Sequence, residues 1–68
     1  MPEEWTGDLI GRMHNEHVTA DELASELGYC KGYVSMILNG SRSPKGCREK
    51  FVKAFEEILK RRTEAENN

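Results

Sequence analysis

The chain has 68 residues and a mass of 7.8 kDa, which is enough for one domain and excludes a second hydrophobic core or a substrate cleft between two lobes. Hydrophobic residues make up 37% of the sequence and form no apolar run long enough to span a membrane. The formal net charge of −2 argues at first against a nucleic-acid partner, although the two signs are unevenly distributed along the chain.

The first predicted helix covers residues 3–15. Trp5, Leu9 and Met13 recur every four residues, and Ile10 widens the stripe that they form. This spacing is typical of an amphipathic helix with one apolar face. We interpret that face as part of the core.

The second predicted helix has the clearest start signal in the chain. Thr19 can act as the N-cap, and Glu22 can reach back to the Thr19 amide to complete a capping box. Val18 and Leu23 can form the hydrophobic staple that accompanies such a box. Gly28 tolerates a left-handed backbone and is predicted to end the helix after about eight residues.

A third helix is predicted from Cys30 to about Leu38, after a tight turn at residues 28–29. Val34 and Ile37 occupy its inward positions, and the Asn39–Gly40 pair is predicted to stop it. An Asn-Gly pair can also form a hairpin turn, but the flanking residues keep helical spacing and do not alternate.

A loop over residues 41–46 leads to a fourth predicted helix, which starts near Gly46 or Cys47 and ends at about Thr63. The run of Lys60, Arg61 and Arg62 suits the end of this helix, where cations oppose the helix dipole. Residues 64–68 are predicted to form a polar tail. The predicted fold is therefore all-α, with four helices in a single domain of residues 1–63 and a fifth helix left open. The apolar stripe of the fourth helix consists of Phe51, Phe55, Ile58 and Leu59.

The charge is divided into blocks. Residues 1–29 contain seven acidic residues and one Arg, a net −6, whereas residues 30–53 contain six basic residues and one Glu, a net +5. Residues 54–68 contain four acidic and three basic residues, a net −1. The middle third can therefore attract a polyanion, although a solvated basic loop has the same composition.

Two short helices joined by a tight turn that contains glycine form a helix-turn-helix unit. Residues 19–44, TADELASELGYCKGYVSMILNGSRSP, resemble the lambda-repressor/Cro-like family of helix-turn-helix DNA-binding domains. The features that carry the resemblance are Leu23–Ala24, Leu27–Gly28, the Tyr33-Val34-Ser35 triplet, Ile37, Asn39–Gly40 and a basic loop that ends in Pro44.

The resemblance implies that residues 31–39 form the recognition helix, which enters the major groove while the preceding helix crosses the phosphate backbone. Lysine can donate to guanine or pair with a phosphate, serine can bond either a base or a phosphate, and methionine offers apolar contact, for instance to a thymine methyl group. A glycine in this helix reads no base with a side chain and lets the helix lie deep. The implied base-contacting residues are Lys31, Gly32, Ser35 and Met36.

Contacts to backbone phosphates set register and affinity without carrying sequence information. The residues assigned to such contacts are Thr19, Tyr33, Asn39, Arg42, Ser43, Lys45 and Arg48, and for Tyr33 half-buried packing is an equal alternative. Two positions depart from the family pattern: Ala20 stands where a Gln is usual, and Leu38 stands where an acidic residue is frequent. Base readout is therefore expected to be sparse.

The expected function is sequence-specific binding of double-stranded DNA by a transcriptional regulator, most simply a repressor, of the kind found in bacteria, phages and mobile elements. The resemblance implies a homodimer on DNA with half-sites one helical turn apart. The fourth helix is the first candidate for the dimer contact, because its apolar residues exceed a single stripe. No cofactor, small-molecule ligand or catalytic activity is expected. The five residues of that candidate contact are Phe51, Val52, Phe55, Ile58 and Leu59.

The sequence has two cysteines and no apolar leader, so we expect a reducing compartment, the cytoplasm. Within it, the protein is expected on the nucleoid. A zinc site built from His14, His17, Cys30 and Cys47 has suitable residue types but lacks the close Cys spacing of known zinc fingers. At the start of a helix beside Lys31, Cys30 could act as a redox switch, or simply replace the Ser or Thr that usually caps this helix.

A protein of another class remains as the alternative. A helix-turn-helix scaffold that has lost DNA binding would serve as a protein-interaction module, and an antitoxin would bind both DNA and a protein. The acidic pI, Ala20 and Gly32 are consistent with the first of these. A DNA-binding protein would need its basic residues on one face, namely Lys31, Arg42, Lys45 and Arg48.

Overall fold

Four helices make up most of the chain in a computed structural model that describes residues 4–66. They are α1 (Glu4–Glu16), α2 (Ala20–Leu27), α3 (Lys31–Leu38) and α4 (Cys47–Glu66). Residues 4–66 contain no strand and no fifth helix, so the all-α class is confirmed. None of the four helices is long and apolar enough to cross a membrane, as judged over the same residues.

The predicted helix bounds differ from the structure by a few residues. α1 ends one residue later than predicted, and Glu3, its predicted start, lies outside the described residues. α4 ends three residues later than predicted, so residues 64–66 of the expected polar tail are helical. Residues 67 and 68 of that tail lie outside the described part of the chain.

The capping box that the sequence predicts at the start of α2 is present. The Glu22 amide donates to Thr19 Oγ1 at 3.1 Å, and the Thr19 amide donates to Glu22 Oε1 at 3.4 Å. Val18 and Leu23, the predicted staple, are both buried. Local side-chain chemistry therefore defines where this short helix begins.

Three of the four helices are followed within two residues by a residue with a left-handed backbone. After α1 this residue is His17 (φ 57°), after α2 it is Gly28 (φ 78°), and after α3 it is Gly40 (φ 87°). At the end of α1 the Val18 amide donates to the Met13 carbonyl at 2.8 Å and the His17 amide donates to the His14 carbonyl at 3.3 Å. These two hydrogen bonds form the Schellman motif, in which glycine is the usual left-handed residue.

The core contains residues from all four helices. α2 packs against α3 and α4, and α1 packs against the same two helices. Two ring contacts join α1 to α4: Trp5 meets Phe51 edge to face at 5.9 Å, and the Arg12 guanidinium lies 4.9 Å from the centre of the Phe55 ring. The largest fully buried side chains are Phe51, Phe55, Leu23, Ile37 and Val34.

The prediction that Ile10 belongs to the apolar face of α1 was wrong. Leu9 and Met13 are buried and Trp5 is packed against the core, but Ile10 is 45% exposed. Ile10 follows Leu9 by one residue, which turns it about 100° around the helix and away from the narrow stripe that the core accepts.

Arg62 joins three parts of the chain. Its guanidinium donates to the carbonyl of Glu16 at 2.6 Å, to the carbonyl of His17 at 3.2 Å, and to both carboxylate oxygens of Glu22 at 2.9 and 2.7 Å. Arg61 pairs with Glu26 of α2. α4 continues to Glu66 and has no basic residue in its last turn, so the prediction that the basic run serves the end of this helix was wrong. Arg61 and Arg62 instead bind α2, and Arg62 also satisfies carbonyls at the end of α1.

Most of the apolar surface on α4 that suggested a dimer contact is used within the chain. Phe51, Phe55 and Ile58 are buried in the core. Val52 and Leu59 remain half-buried. Of the five apolar residues that suggested a dimer contact on α4, only these two are therefore partly available for one.

Candidate nucleic-acid interface

α2 and α3 are two eight-residue helices joined by a turn of three residues, 28–30. The amides of Gly28 and Tyr29 both donate to the Ala24 carbonyl, at 2.8 and 3.0 Å, which folds the turn tightly against the end of α2. Cys30 then occupies the N-cap of α3 with an extended backbone, but its side chain makes no capping bond. Cys30 therefore takes the cap position of a Ser or Thr, as the sequence predicts, without supplying the capping bond that either would make.

α3 has a buried side and an outer side. Val34, Ile37 and Leu38 are buried, as the helical spacing predicts. The outer side brings together all four predicted base-contacting residues, because positions three and four apart are neighbours on a helix surface. Ser35 is half-buried and the other three are exposed, namely Lys31, Gly32 and Met36.

Tyr33 is half-buried and packed against the core. Its ring meets the ring of Tyr29 edge to face at 5.1 Å, so it also braces the turn between α2 and α3. The packing alternative considered for Tyr33 is therefore realised in the structure. Its assignment as a phosphate contact stays a prediction.

Lys31 lies beside an acidic residue that the sequence did not single out. Its Nζ is 3.6 Å from Asp21 Oδ2, and both side chains are more than 60% exposed. Asp21 and Lys31 each occupy the first turn of a helix, so the tight turn brings the two helix starts together. A carboxylate thus stands at one edge of the outer side of α3.

The loop after α3 is held to the end of that helix. The amides of Ser41 and Arg42 both donate to the Met36 carbonyl, at 2.8 and 3.2 Å. The Ser41 amide also donates to Asn39 Oδ1 at 2.9 Å. This bond uses the oxygen of the Asn39 amide and leaves its nitrogen, which carries the donors, to face other acceptors.

The other loop residues predicted to contact phosphate are exposed. Arg42, Ser43 and Lys45 all lie at the surface, whereas Pro44 between them is half-buried. Thr19 is also exposed, and its hydroxyl, which accepts the Glu22 amide, still has a proton to donate.

Arg48 lies in acidic surroundings. It lines a shallow depression with Glu4, Trp5 and Asp8 of α1. Lys50 and Lys53 line another depression that contains two glutamates, Glu26 of α2 and Glu57 of α4. The basic side chains of the segment 30–53 therefore do not share one environment. Lys31 lies on α3 itself and Arg42 and Lys45 in the loop after it, whereas Arg48, Lys50 and Lys53 lie near acidic residues of other helices.

The two cysteines differ in exposure, with Cys30 at the surface and Cys47 buried. Over residues 4–66 no group of three or more His, Cys, Asp and Glu side chains is arranged to hold a metal ion.

Comparisons of the chain with protein-family models, with curated proteins and with solved structures found no match.

Proposed function

We propose that this protein is a small regulator that binds double-stranded DNA through a lambda-repressor-like helix-turn-helix formed by α2 and α3. In this proposal α3 enters the major groove, and α2 lies across the phosphate backbone. The proposal draws on the resemblance of residues 19–44 to that family and on the arrangement of the two helices.

One observation carries the proposal. α3 is packed against α1 and α2 on its buried side, and its outer side bears no acidic residue of its own. Residues 27–48 run from the end of α2 through the turn, α3 and the loop into the first turn of α4, and they include no Asp or Glu. They include four basic residues, of which Arg48 lies beside Glu4 and Asp8 of α1. In a chain with a net charge of −2, this is the longest segment suited to contact with a polyanion.

The proposed contacts divide into two groups. Lys31, Ser35 and Met36 reach base edges from the outer side of α3, and Gly32 allows the helix to approach them. The residues around α3 contact phosphates and set the register of the helix. This second group comprises Thr19, Tyr33, Asn39, Arg42, Ser43, Lys45 and Arg48.

The proposed complex contains two copies of the protein on a palindromic site with half-sites about one helical turn apart. Since α4 uses most of its apolar residues within the chain, the two copies would be assembled mainly by the DNA.

The test is a selection of duplex DNA from a random library, followed by titration of the enriched sequence at several salt concentrations. We expect an enriched palindrome and an affinity that falls steeply as salt rises, because bound phosphates release counterions. Failure to enrich any sequence, together with weak binding at low salt, would contradict the proposal.

A protein-interaction module, including an antitoxin, is the second candidate function. The pair between Lys31 and Asp21 favours it, because a carboxylate at the edge of α3 repels phosphates and suits a partner with its own basic group. The same selection separates the regulator from a module that binds only protein, because that module would enrich no duplex. An antitoxin would enrich a duplex, and its binding to a protein partner would distinguish it from the regulator.

A further inference from the structure

Met36 is the one large apolar side chain that α3 exposes. It is 38% exposed, whereas its apolar neighbours Val34, Ile37 and Leu38 are 8% exposed or less. In the described part of the chain, Ile10 on α1 is the other large hydrophobic residue with comparable exposure. The recognition surface proposed above therefore contains an apolar group between its polar ones.

Gly32 lies one helical turn before Met36 on the same side of α3. A methyl carbon placed at Gly32 would meet no neighbouring atom of the described residues within 4 Å. The backbone there does not have a positive φ, so the helix does not require glycine for conformational reasons. Glycine inside a helix costs about 1 kcal/mol relative to alanine. Neither packing nor backbone geometry within the chain requires this glycine, as is also true of Gly7 and Gly11 in α1. Gly32 differs from those two because it lies on the outer side of α3, where bare backbone permits the close approach of a ligand.

Together the two residues form an apolar step, with bare backbone at Gly32 and a thioether at Met36. Among the groups that the major groove displays, the 5-methyl group of thymine is the apolar one. The segment around the step contains no acidic residue, and the Asp21 carboxylate at its edge is paired with Lys31, so DNA is favoured over a protein partner as its occupant. Lys31 and Ser35, which lie beside the step, supply the polar contacts to adjacent bases.

We infer that this protein recognises a thymine in its DNA site through the 5-methyl group, with Met36 contacting the methyl and Gly32 admitting the base edge to the helix backbone. The inference rests on the proposed function and names the chemical group that confers specificity on it.

The experiment uses the duplex enriched by selection, with each thymine replaced in turn by deoxyuracil. This replacement removes the methyl group and keeps base pairing. We expect a loss of affinity of about threefold to tenfold at one thymine of each half-site, the size expected for removing one buried methyl group, and little change at the others.

Three variants connect that loss to the apolar step. Met36→Ala should bind the thymine and uracil duplexes equally, whereas Met36→Leu, which keeps an apolar side chain, should retain the preference for thymine. Gly32→Ala should bind the thymine duplex more weakly, because its methyl group occupies the space of the base edge. Since both positions are exposed, circular dichroism should show all three variants folded.

The outcomes separate the inference from the proposed function. Specific binding with no effect of uracil at any position overturns the inference and leaves the proposed function intact. A preference for thymine that persists in Met36→Ala also overturns it. Failure to enrich any duplex overturns both.

Discussion

His17 adopts a conformation that glycine adopts at the corresponding ends of α2 and α3. Its φ of 57° lies in the left-handed region, which costs a residue with a Cβ roughly 1–2 kcal/mol. We therefore expect His17→Gly to raise the free energy of unfolding by about 1 kcal/mol, as the relief of this strain exceeds the added entropy of the unfolded chain. Urea denaturation followed by circular dichroism measures the change.

Gly28→Ala is the matched control, because it places a Cβ at a left-handed position (φ 78°) where nothing lies within 4 Å to clash with it. It should lower the stability by about 1 kcal/mol through backbone strain alone. If His17→Gly were destabilising, the imidazole would contribute more than the strain costs, and our account of this helix end would be wrong.

At the scale of the element, Arg62 connects α4 to both α1 and α2. Arg62→Ala removes hydrogen bonds to the Glu16 and His17 carbonyls together with the pair to Glu22. Because the Arg62 side chain is 38% exposed, water replaces part of what is lost, and we expect a destabilisation of about 1–2 kcal/mol. Thermal and urea unfolding of the purified variant measure it.

Lys60→Ala is the control for that variant, since it removes a basic side chain from the exposed surface of the same turn of α4. It should change the stability by less than about 0.5 kcal/mol. Equal losses in the two variants would show that general charge, and not the specific bonds of Arg62, accounts for the effect.

Substitutions in α3 and in the loop that follows it are expected to affect DNA binding in different ways. Lys31→Ala or Ser35→Ala should relax the base preference and cost about 1–3 kcal/mol on the preferred site. Arg42→Ala should weaken binding to all sequences about equally and reduce the salt slope by about one. Titrations of specific and random duplexes at several salt concentrations measure both quantities.

The reverse result would contradict the placement of α3 in the groove. A change of base preference in Arg42→Ala, with none in Lys31→Ala, would mean that the loop reads the bases and the helix lies on the backbone.

At the scale of the whole molecule, the described surface offers little apolar area for self-association. Stable interfaces bury roughly 1,600 Å² with an apolar centre, whereas the exposed large hydrophobic residues between residues 4 and 66 are Ile10 and Met36. We therefore expect the protein without DNA to sediment as a monomer at micromolar concentration, and two copies to assemble on a palindromic duplex. A dimer without DNA in analytical ultracentrifugation would contradict this expectation.

The parts of the fold that the sequence predicts are those controlled by near neighbours. The capping box of Thr19 and Glu22 and the left-handed Gly28 act across three or four residues, so α2 is predicted almost completely. The buried side of α3 follows in the same way from the helical spacing of Val34 and Ile37. The same spacing places Lys31, Gly32, Ser35 and Met36 on the outer side of α3, while their roles in binding stay a prediction.

The features that the sequence does not predict depend on residues that are distant in the chain. Arg62 lies 40 residues from Glu22, and helical spacing carries no information about such a pair. The short distance between Lys31 and Asp21 depends on the angle of the turn between α2 and α3. The exposure of Ile10 depends on how wide a face of α1 the other helices cover. The contact of each proposed site residue with DNA is likewise a property of two molecules.

The bonds of Arg62 to the end of α1 have a consequence for the order of events during synthesis. They close across 46 residues, and the core residues Phe51, Phe55 and Ile58 are also added late. On the ribosome, α1, α2 and α3 are therefore complete before the parts that hold them together have been translated. α3 rests on α1 and α2, and α4 packs against both of those helices. In a nascent chain the support beneath α3 therefore becomes rigid only after α4 has been translated and has packed against them.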